Sequence, residues 1–376
     1  MKIVVNTRSL VTNKLDGIGW FTYQTLKRIT QSHPEHEFVF LFDRPFDSQF
    51  IFANNVRPVV LFPPARHPFL YCIYYEFSVR RISQKIKPDV FVGPDGLLSL
   101  GSKTKQIAVI HDINFYHYPQ DLGFFYRHYY NFFMPKFAKK ASKIVTVSQF
   151  SKQDLVQTYK ILPEKISVAY NGVNEGYKVL HEEEKQSTKI AFSGGKDYFL
   201  FVGSMSPRKN LVRLIEAFAL FKKHSLSNFK LVLAGGNFWG ESALHQVIEK
   251  HQLKEEILFT GRVSQNDLEK IMGSAYALTF VSYFEGFGIP LVEAMACEVP
   301  IICSKESCMP EIAGDAAYYV DSFDINSIAE GLTALWKNTD LKLALIESGK
   351  IQKQKFSWDI TAQKLWDVIL ETGNKA

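Results

Sequence analysis

Short runs of β-branched and aromatic residues recur along the chain, and stretches with apolar residues at helical spacing fill the gaps between them. Six runs in the first half read as strands, at 3–6, 38–42, 58–62, 90–93, 107–111 and 144–148. Six more follow at 198–203, 230–235, 257–260, 278–281, 299–303 and 317–320. Residues 211–224 show the intervening helical period. Near-continuous apolar strands alternating with helices specify α/β architecture, with parallel sheets covered by helices on both faces. The two series are parted by residues 181–196 (HEEEKQSTKIAFSGGK), which are polar, charged and end in two glycines. That stretch reads as an interdomain segment between domains at 1–180 and 197–355. A length of 376 residues agrees with two domains.

Composition narrows the class. Apolar residues make up 46% and charged residues 22%, enough for ordinary cores. Cys72, Cys297, Cys303 and Cys308 form no CxxC pair and have no His cluster beside them, so reduced cytosolic thiols are expected and a metal site is not. The opening MKIVVNTRSLV lacks a signal-peptide apolar core and reads as a first strand. No run of eighteen apolar residues exists, so no transmembrane helix is expected. Net charge is +6, and the basic residues mix with aromatics at 66–87 and 124–143. Such mixtures suit an anionic bilayer surface; the plainer alternative is core aromatics beside a solvated charged face. No nucleic-acid motif accompanies them, so nucleic acid is not an expected partner. The expected location is the cytoplasm, with peripheral contact at the inner face of the membrane.

Chemistry concentrates in FEGFGIPLVEAMACEVP, residues 284–300. Glu285 and Glu293 bracket Gly286, Phe287, Gly288 and Pro290. Pro290 suits the start of a helix, where its missing N–H leaves nothing unsatisfied, and Leu291, Ala294 and Met295 continue an apolar helical stripe. A glycine loop running into such a helix presents bare backbone N–H groups to an anion. Two acids beside an anion site suggest a ligand that is both polyhydroxylated and phosphorylated. Taken singly, Glu293 reads as a first-turn acid complementing the helix dipole, and Glu285 as a solvated loop acid.

Other strand ends carry weaker signals. Asp16-Gly17-Ile18-Gly19 opens a helix after the first strand, either as a close-approach loop for phosphate or sugar or as a simple turn. Thr22 stands where a dinucleotide fingerprint would place its third glycine. The strand ending His111-Asp112 reads locally as a capped turn. After the strand YFLFVGS comes SPRKN, with Arg208 and Lys209 at a helix start. Positive charge there opposes the dipole, which suggests an anionic partner such as a pyrophosphate.

Together, the glutamate pair around GFG and PLVEAMA, the PRKN loop and the GDAA segment at 314–317 resemble glycosyltransferase family 4. The resemblance covers nearly the whole chain and is strongest at 197–321. It implies the GT-B fold, two facing Rossmann-like domains with an interdomain cleft, and a retaining transfer from a nucleotide-diphosphate sugar, GDP- or UDP-linked, to a glycan or lipid-linked acceptor. It places Glu285 and His111 at the donor sugar, Glu293 on the ribose hydroxyls, and the amides of Gly286, Phe287 and Gly288 around sugar and phosphates. Gly17 and Gly19 would also face the donor, Arg208 and Lys209 its phosphates, and Arg262 and Val263 the base. Asn171-Gly172-Val173 resembles the family's hinge, and residues 356–376 would form a helix crossing back to the first domain. Family members commonly have an Arg at the position of Ser204. The same motifs bring bacterial polysaccharide mannosyltransferases to mind.

No Asp-x-Asp pair occurs, which argues against a divalent-metal donor site. No cofactor is expected, and protein cations would stabilise the leaving diphosphate. A glycosidase-like double displacement is disfavoured because the resemblance puts Glu293 away from the anomeric carbon. Rivals are a sugar-nucleotide epimerase on the same fold, a nicotinamide-dependent oxidoreductase and a non-catalytic glycan-binding relative.

Overall fold

A computed structural model of the chain describes residues 1–236 and 241–374. The chain divides into two compact units, one made of Met1–Asn171 with Ser357–Ala376, the other of Gly172–Phe356.

The first unit holds a parallel sheet of seven strands: β1 (Lys2–Asn6), β2 (Glu37–Phe42), β3 (Val56–Val60), β4 (Val90–Gly93), β5 (Gln106–Val109), β6 (Lys143–Thr146) and β7 (Ile166–Val168), in the order β3-β2-β1-β4-β5-β6-β7. The third strand lies two residues earlier than its apolar run suggests. Pro58 sits within it, tolerated because β3 is an edge strand. β7, only three residues long, pairs Ile166 with Ile144 of β6 and is too short for a periodic signal. Val4, Val39 and Phe91 are fully or almost fully buried, as strands covered on both faces require.

The second unit repeats the plan with β8 (Tyr198–Val202), β9 (Lys230–Ala234), β10 (Ile257–Gly261), β11 (Ala277–Phe280), β12 (Ile301–Ser304) and β13 (Ala317–Val320), in the order β10-β9-β8-β11-β12-β13. In each sheet the direction of winding reverses beside the first strand, between β1 and β4 and between β8 and β11. Loops leave the carboxyl ends of these neighbours in opposite directions, opening the crevice where α/β sheets bind ligands.

Residues 181–196 lie inside the second unit, where Glu182–Ser193 form a helix closed by Gly194 at φ +61°. Their polarity is that of an exposed helix face. The helix Trp358–Asn374 packs in the first unit: the Thr361 hydroxyl donates to the Tyr170 carbonyl, Arg28 pairs with Asp359 at 2.6 Å, and Trp366 stacks on His33 at 4.0 Å. Residues 375 and 376, the end of that expected segment, lie outside the described residues.

Candidate active site

At the switch point of the second sheet, the loop after β8 and the loop after β11 are fastened together. Leu278 of β11 pairs with Leu200 of β8. Beyond the strands, the Tyr283 N–H donates to the Arg208 carbonyl at 3.0 Å and Arg208 Nη1 donates to the Phe284 carbonyl at 3.0 Å. Asn210, at φ +62°, donates its side-chain amide to the carbonyls of Val281 (3.1 Å) and Ser322 (2.6 Å). Pro207 starts the tight turn Pro207–Lys209, and that turn aims both cations at one acid.

The acid is Glu285. Lys209 Nζ donates to Oε1, and Arg208 Nη1 pairs with Oε2. The Glu285 N–H donates to Ser307 Oγ at 3.2 Å, and Lys209 Nζ lies 4.8 Å from the Phe280 ring centroid. Burial alone would push the carboxyl up, but Arg208 and Lys209 overcome it and hold it at about 2. Glu285 is thus a buried, ionised side chain rather than a solvated loop acid. The anionic partner that the basic pair requires is, within the chain, this glutamate. Two cations face one carboxylate, so these three groups carry a net +1.

Gly286, Phe287 and Gly288 make the turn into the helix Ile289–Ala296, with Pro290 in its first turn. Gly288 has φ +86°, and a Cβ there would lie 3.2 Å from Leu291 Cδ1, so the turn needs glycine. Phe287 packs edge-on against Phe356, with centroids 5.6 Å apart.

Glu293 sits beyond the first turn of this helix, which contains no acid, so a dipole-complementing role does not apply. It is buried, beside Tyr177 and Glu269. Burial pushes its carboxyl up to about 8; the Tyr177 hydroxyl opposes the shift and Glu269 adds to it. The two glutamates therefore occupy opposite electrostatic environments, one ionised between cations, the other holding a proton at neutral pH.

Arg262 and Val263 follow Gly261 at the end of β10, two strands from β8, roughly 10 Å across the sheet. Arg262 is exposed and Val263 half-buried. Between these strand ends, Gly235 (φ +149°) fits so tightly that a Cβ would lie 1.9 Å from the Gly203 carbonyl oxygen. Among the described residues, no three His, Cys, Asp or Glu side chains gather as metal ligands do.

In the first unit, His111 lies two residues beyond β5, half-buried and edge-on to Phe21 at 5.2 Å. Burial lowers its pKa. Its Nε2 lies 2.9 Å from the Pro94 carbonyl. A carbonyl only accepts, so Nε2 carries the hydrogen and Nδ1 of the neutral ring keeps its lone pair. Asp112 caps its own turn, accepting from the Asn114 N–H at 3.1 Å. Gly17 begins the helix Gly17–Ser32, which Asp16 caps by accepting from the Gly19 N–H at 2.8 Å. Gly17 is exposed; a Cβ on Gly19 would lie 3.1 Å from the Ser9 carbonyl oxygen.

Sequence reasoning missed a buried polar cluster beside His111. Arg8 Nε donates to Asp95 at 2.5 Å, Asn6 donates to the Tyr75 hydroxyl at 2.6 Å and to Asp95 at 3.1 Å, and Arg8 lies over the Tyr71 ring at 4.6 Å. Its legible signal was Asp95, an acid at the carboxyl end of a strand. Ser307, Tyr177 and Glu269 were also missed, and nothing local marks them.

Two family models match the chain: the one described as Glycosyltransferase Family 4 covers residues 15–177, and Glycosyl transferases group 1 covers 182–352. The chain is 25% identical to O-antigen chain mannosyltransferase B of Escherichia coli, over 96% of this chain and 97% of that one. It is 33% identical to O-antigen chain mannosyltransferase RfbU of Salmonella typhimurium, over 59% and 58% of the two chains. In fold it is similar to Anabaena Alr3699/HepE, solved in complex with UDP and glucose (TM-score 0.77, 18% identity, 99% and 100% covered). The same holds for WaaG, a glycosyltransferase of lipopolysaccharide biosynthesis (TM-score 0.76, 17% identity, 98% and 99% covered).

Proposed function

Because the chain belongs to the group 1, family 4 glycosyltransferases and is an enzyme of that kind, we propose that it moves a hexose from a GDP- or UDP-linked donor to a glycan or lipid-linked acceptor in surface-polysaccharide assembly. The first candidate sugar is mannose, after the names of the two relatives. The observation that carries this reading is the convergence of Arg208 and Lys209 on Glu285 at the sheet's switch point.

A net positive, buried cluster beside a helix N-terminus is suited to a diphosphate. Arg208 takes the part that Ser204 cannot. The donor's phosphates share the two cations with Glu285, whose carboxylate faces the sugar ring. As the bond from the anomeric carbon to the phosphate oxygen breaks, charge grows on the diphosphate and the cations' attraction strengthens, so the stabilisation is greatest in the transition state. The positive charge developing on the sugar is stabilised by Glu285, kept ionised at every working pH.

The acceptor hydroxyl oxygen forms the new bond on the face the phosphate leaves, and its proton passes to the departing phosphate oxygen. Configuration is retained, and no metal or cofactor is needed. Glu293 meets the ribose hydroxyls, and His111, with its Nδ1 lone pair, accepts from a sugar hydroxyl.

The test is a transfer assay on the purified protein with GDP-mannose and a panel of UDP-sugars, with and without a lipid-linked glycan acceptor. Release of nucleoside diphosphate coupled to glycosylation of the acceptor is expected. An altered sugar nucleotide formed from donor alone would overturn the reading in favour of an epimerase.

A further inference from the structure

Among the described residues eight phenylalanines are exposed, and six of them, Phe62, Phe69, Phe77, Phe124, Phe125 and Phe132, lie on or beside two helical segments of the first unit. Their burial is decided by helical position. In Phe124–Lys140, Tyr129, Met134, Phe137 and Ala138 face the core, while Phe125, His128, Phe132, Lys136 and Lys139 recur at helical spacing along the solvent side. In the helical run 68–86, Tyr71, Tyr74 and Tyr75 are buried, and Phe69, Phe77, Arg80 and Arg81 are exposed.

The two exposed faces are neighbours. His67 lies 5.5 Å from Phe125, Tyr71 packs edge-on to Tyr129 at 5.3 Å, and the Tyr126 hydroxyl donates to the Arg66 carbonyl at 2.9 Å. Phe62 joins them through its carbonyl, which accepts from the Ser78 hydroxyl. Within the patch Lys136 Nζ sits 3.3 Å from the Phe132 centroid.

Positive charge is concentrated in the two segments that carry these faces. Residues 66–87 and 124–143 contain ten Lys and Arg against one acid, a net +9, while the whole chain carries +6. The rest of the chain is therefore net −3. The single acid, Glu76, accepts from the Leu100 and Gly101 N–H groups at 2.5 and 2.9 Å, and Lys143 is paired with Glu371 at 3.0 Å.

We infer that this face docks on an anionic phospholipid surface, its phenylalanines entering the headgroup boundary and its Arg and Lys side chains pairing with lipid phosphates. Among the described residues no helix is long and apolar enough to cross a membrane, so any attachment by the described helices is through a surface. The inference rests on this surface alone and stands apart from the sugar chemistry.

The full chain is sedimented with vesicles of phosphatidylcholine, and of phosphatidylcholine with 30 mol% phosphatidylglycerol (about the anionic share that gives a substantial surface potential). Binding is expected only with phosphatidylglycerol present, and it weakens with added salt. R80E/R81E, checked for folding by circular dichroism, is expected to bind about 25-fold more weakly or worse, at about fivefold per cation. F124S/F125S is expected to weaken binding at every salt concentration. Binding that ignores phosphatidylglycerol, or that both variants leave intact, overturns the proposal. So does a salt-resistant dimer that buries these phenylalanines.

Discussion

Lys209 and Glu285, 76 residues apart in sequence, are joined by a hydrogen bond from ammonium to carboxylate inside the second unit. The pair ties the loop after β8 to the loop after β11, and Arg208 doubles the tie. Removing Glu285 leaves two cations uncompensated, whereas removing Lys209 leaves Glu285 paired with Arg208, so an isosteric change at Glu285 separates chemistry from folding best.

Glu285→Gln keeps the shape and removes the charge. Turnover is expected to fall about 100-fold or more, with the circular dichroism spectrum unchanged. Near-normal turnover in a folded protein contradicts a role for Glu285 at the donor sugar. The same carboxylate contributes acid stability: its pKa lies at about 2 instead of 4.5, so its stabilising effect is present above pH 4.5 and is lost as pH falls toward 2.

Glu293 has the opposite sign. Its carboxyl is raised from 4.5 to about 8, so between those values the folded chain holds a proton that the unfolded chain has released. Stability therefore falls as pH rises from 4.5 to about 8. Glu293→Gln cannot ionise, so its Tm relative to the parent protein is expected to climb across that window. A Tm difference independent of pH would show that the site does not hold its proton.

Gly235 sits against the Gly203 carbonyl with no room for a Cβ. Gly235→Ala is expected to destabilise by roughly 2 kcal/mol or more, through forced separation of the ends of β8 and β9 and backbone strain at φ +149°. Urea denaturation checks it; an unchanged midpoint contradicts the contact.

Trp366 is buried on the helix Trp358–Asn374 and stacks on His33 of the first unit. Trp366→Ala is expected to cost about 3–5 kcal/mol in the stability of that unit. A loss within a few tenths of a kcal/mol in chemical denaturation would contradict the packing.

The two parallel sheets were legible because their strands are covered on both faces and so read as apolar runs; Phe38–Phe42 and Ile301–Cys303 need little else. β7 was not, since three residues carry no period, and its pairing with β6 is set by tertiary contact. The 181–196 segment looked like a linker because a surface helix can be as polar as one. In the site, glycines and charged residues at strand ends marked Glu285, Arg208 and Lys209. Their mutual pairing was not readable, because it depends on which strands become neighbours. Glu293's environment comes from Tyr177 and Glu269, far away in sequence, so its proton was invisible and its position beyond the first turn was misjudged.

In the proposed mechanism Arg208, Lys209 and Glu285 receive the diphosphate of a nucleotide sugar without a metal. Calorimetric titration of the protein with GDP-mannose and with the UDP-sugars, in excess EDTA, tests it most directly. At least one of these donors is expected to bind in a way that EDTA does not abolish and that Lys209→Ala weakens about tenfold or more, the scale of one charge-assisted contact. Binding that vanishes in EDTA, or that is equally tight in Lys209→Ala, would contradict it.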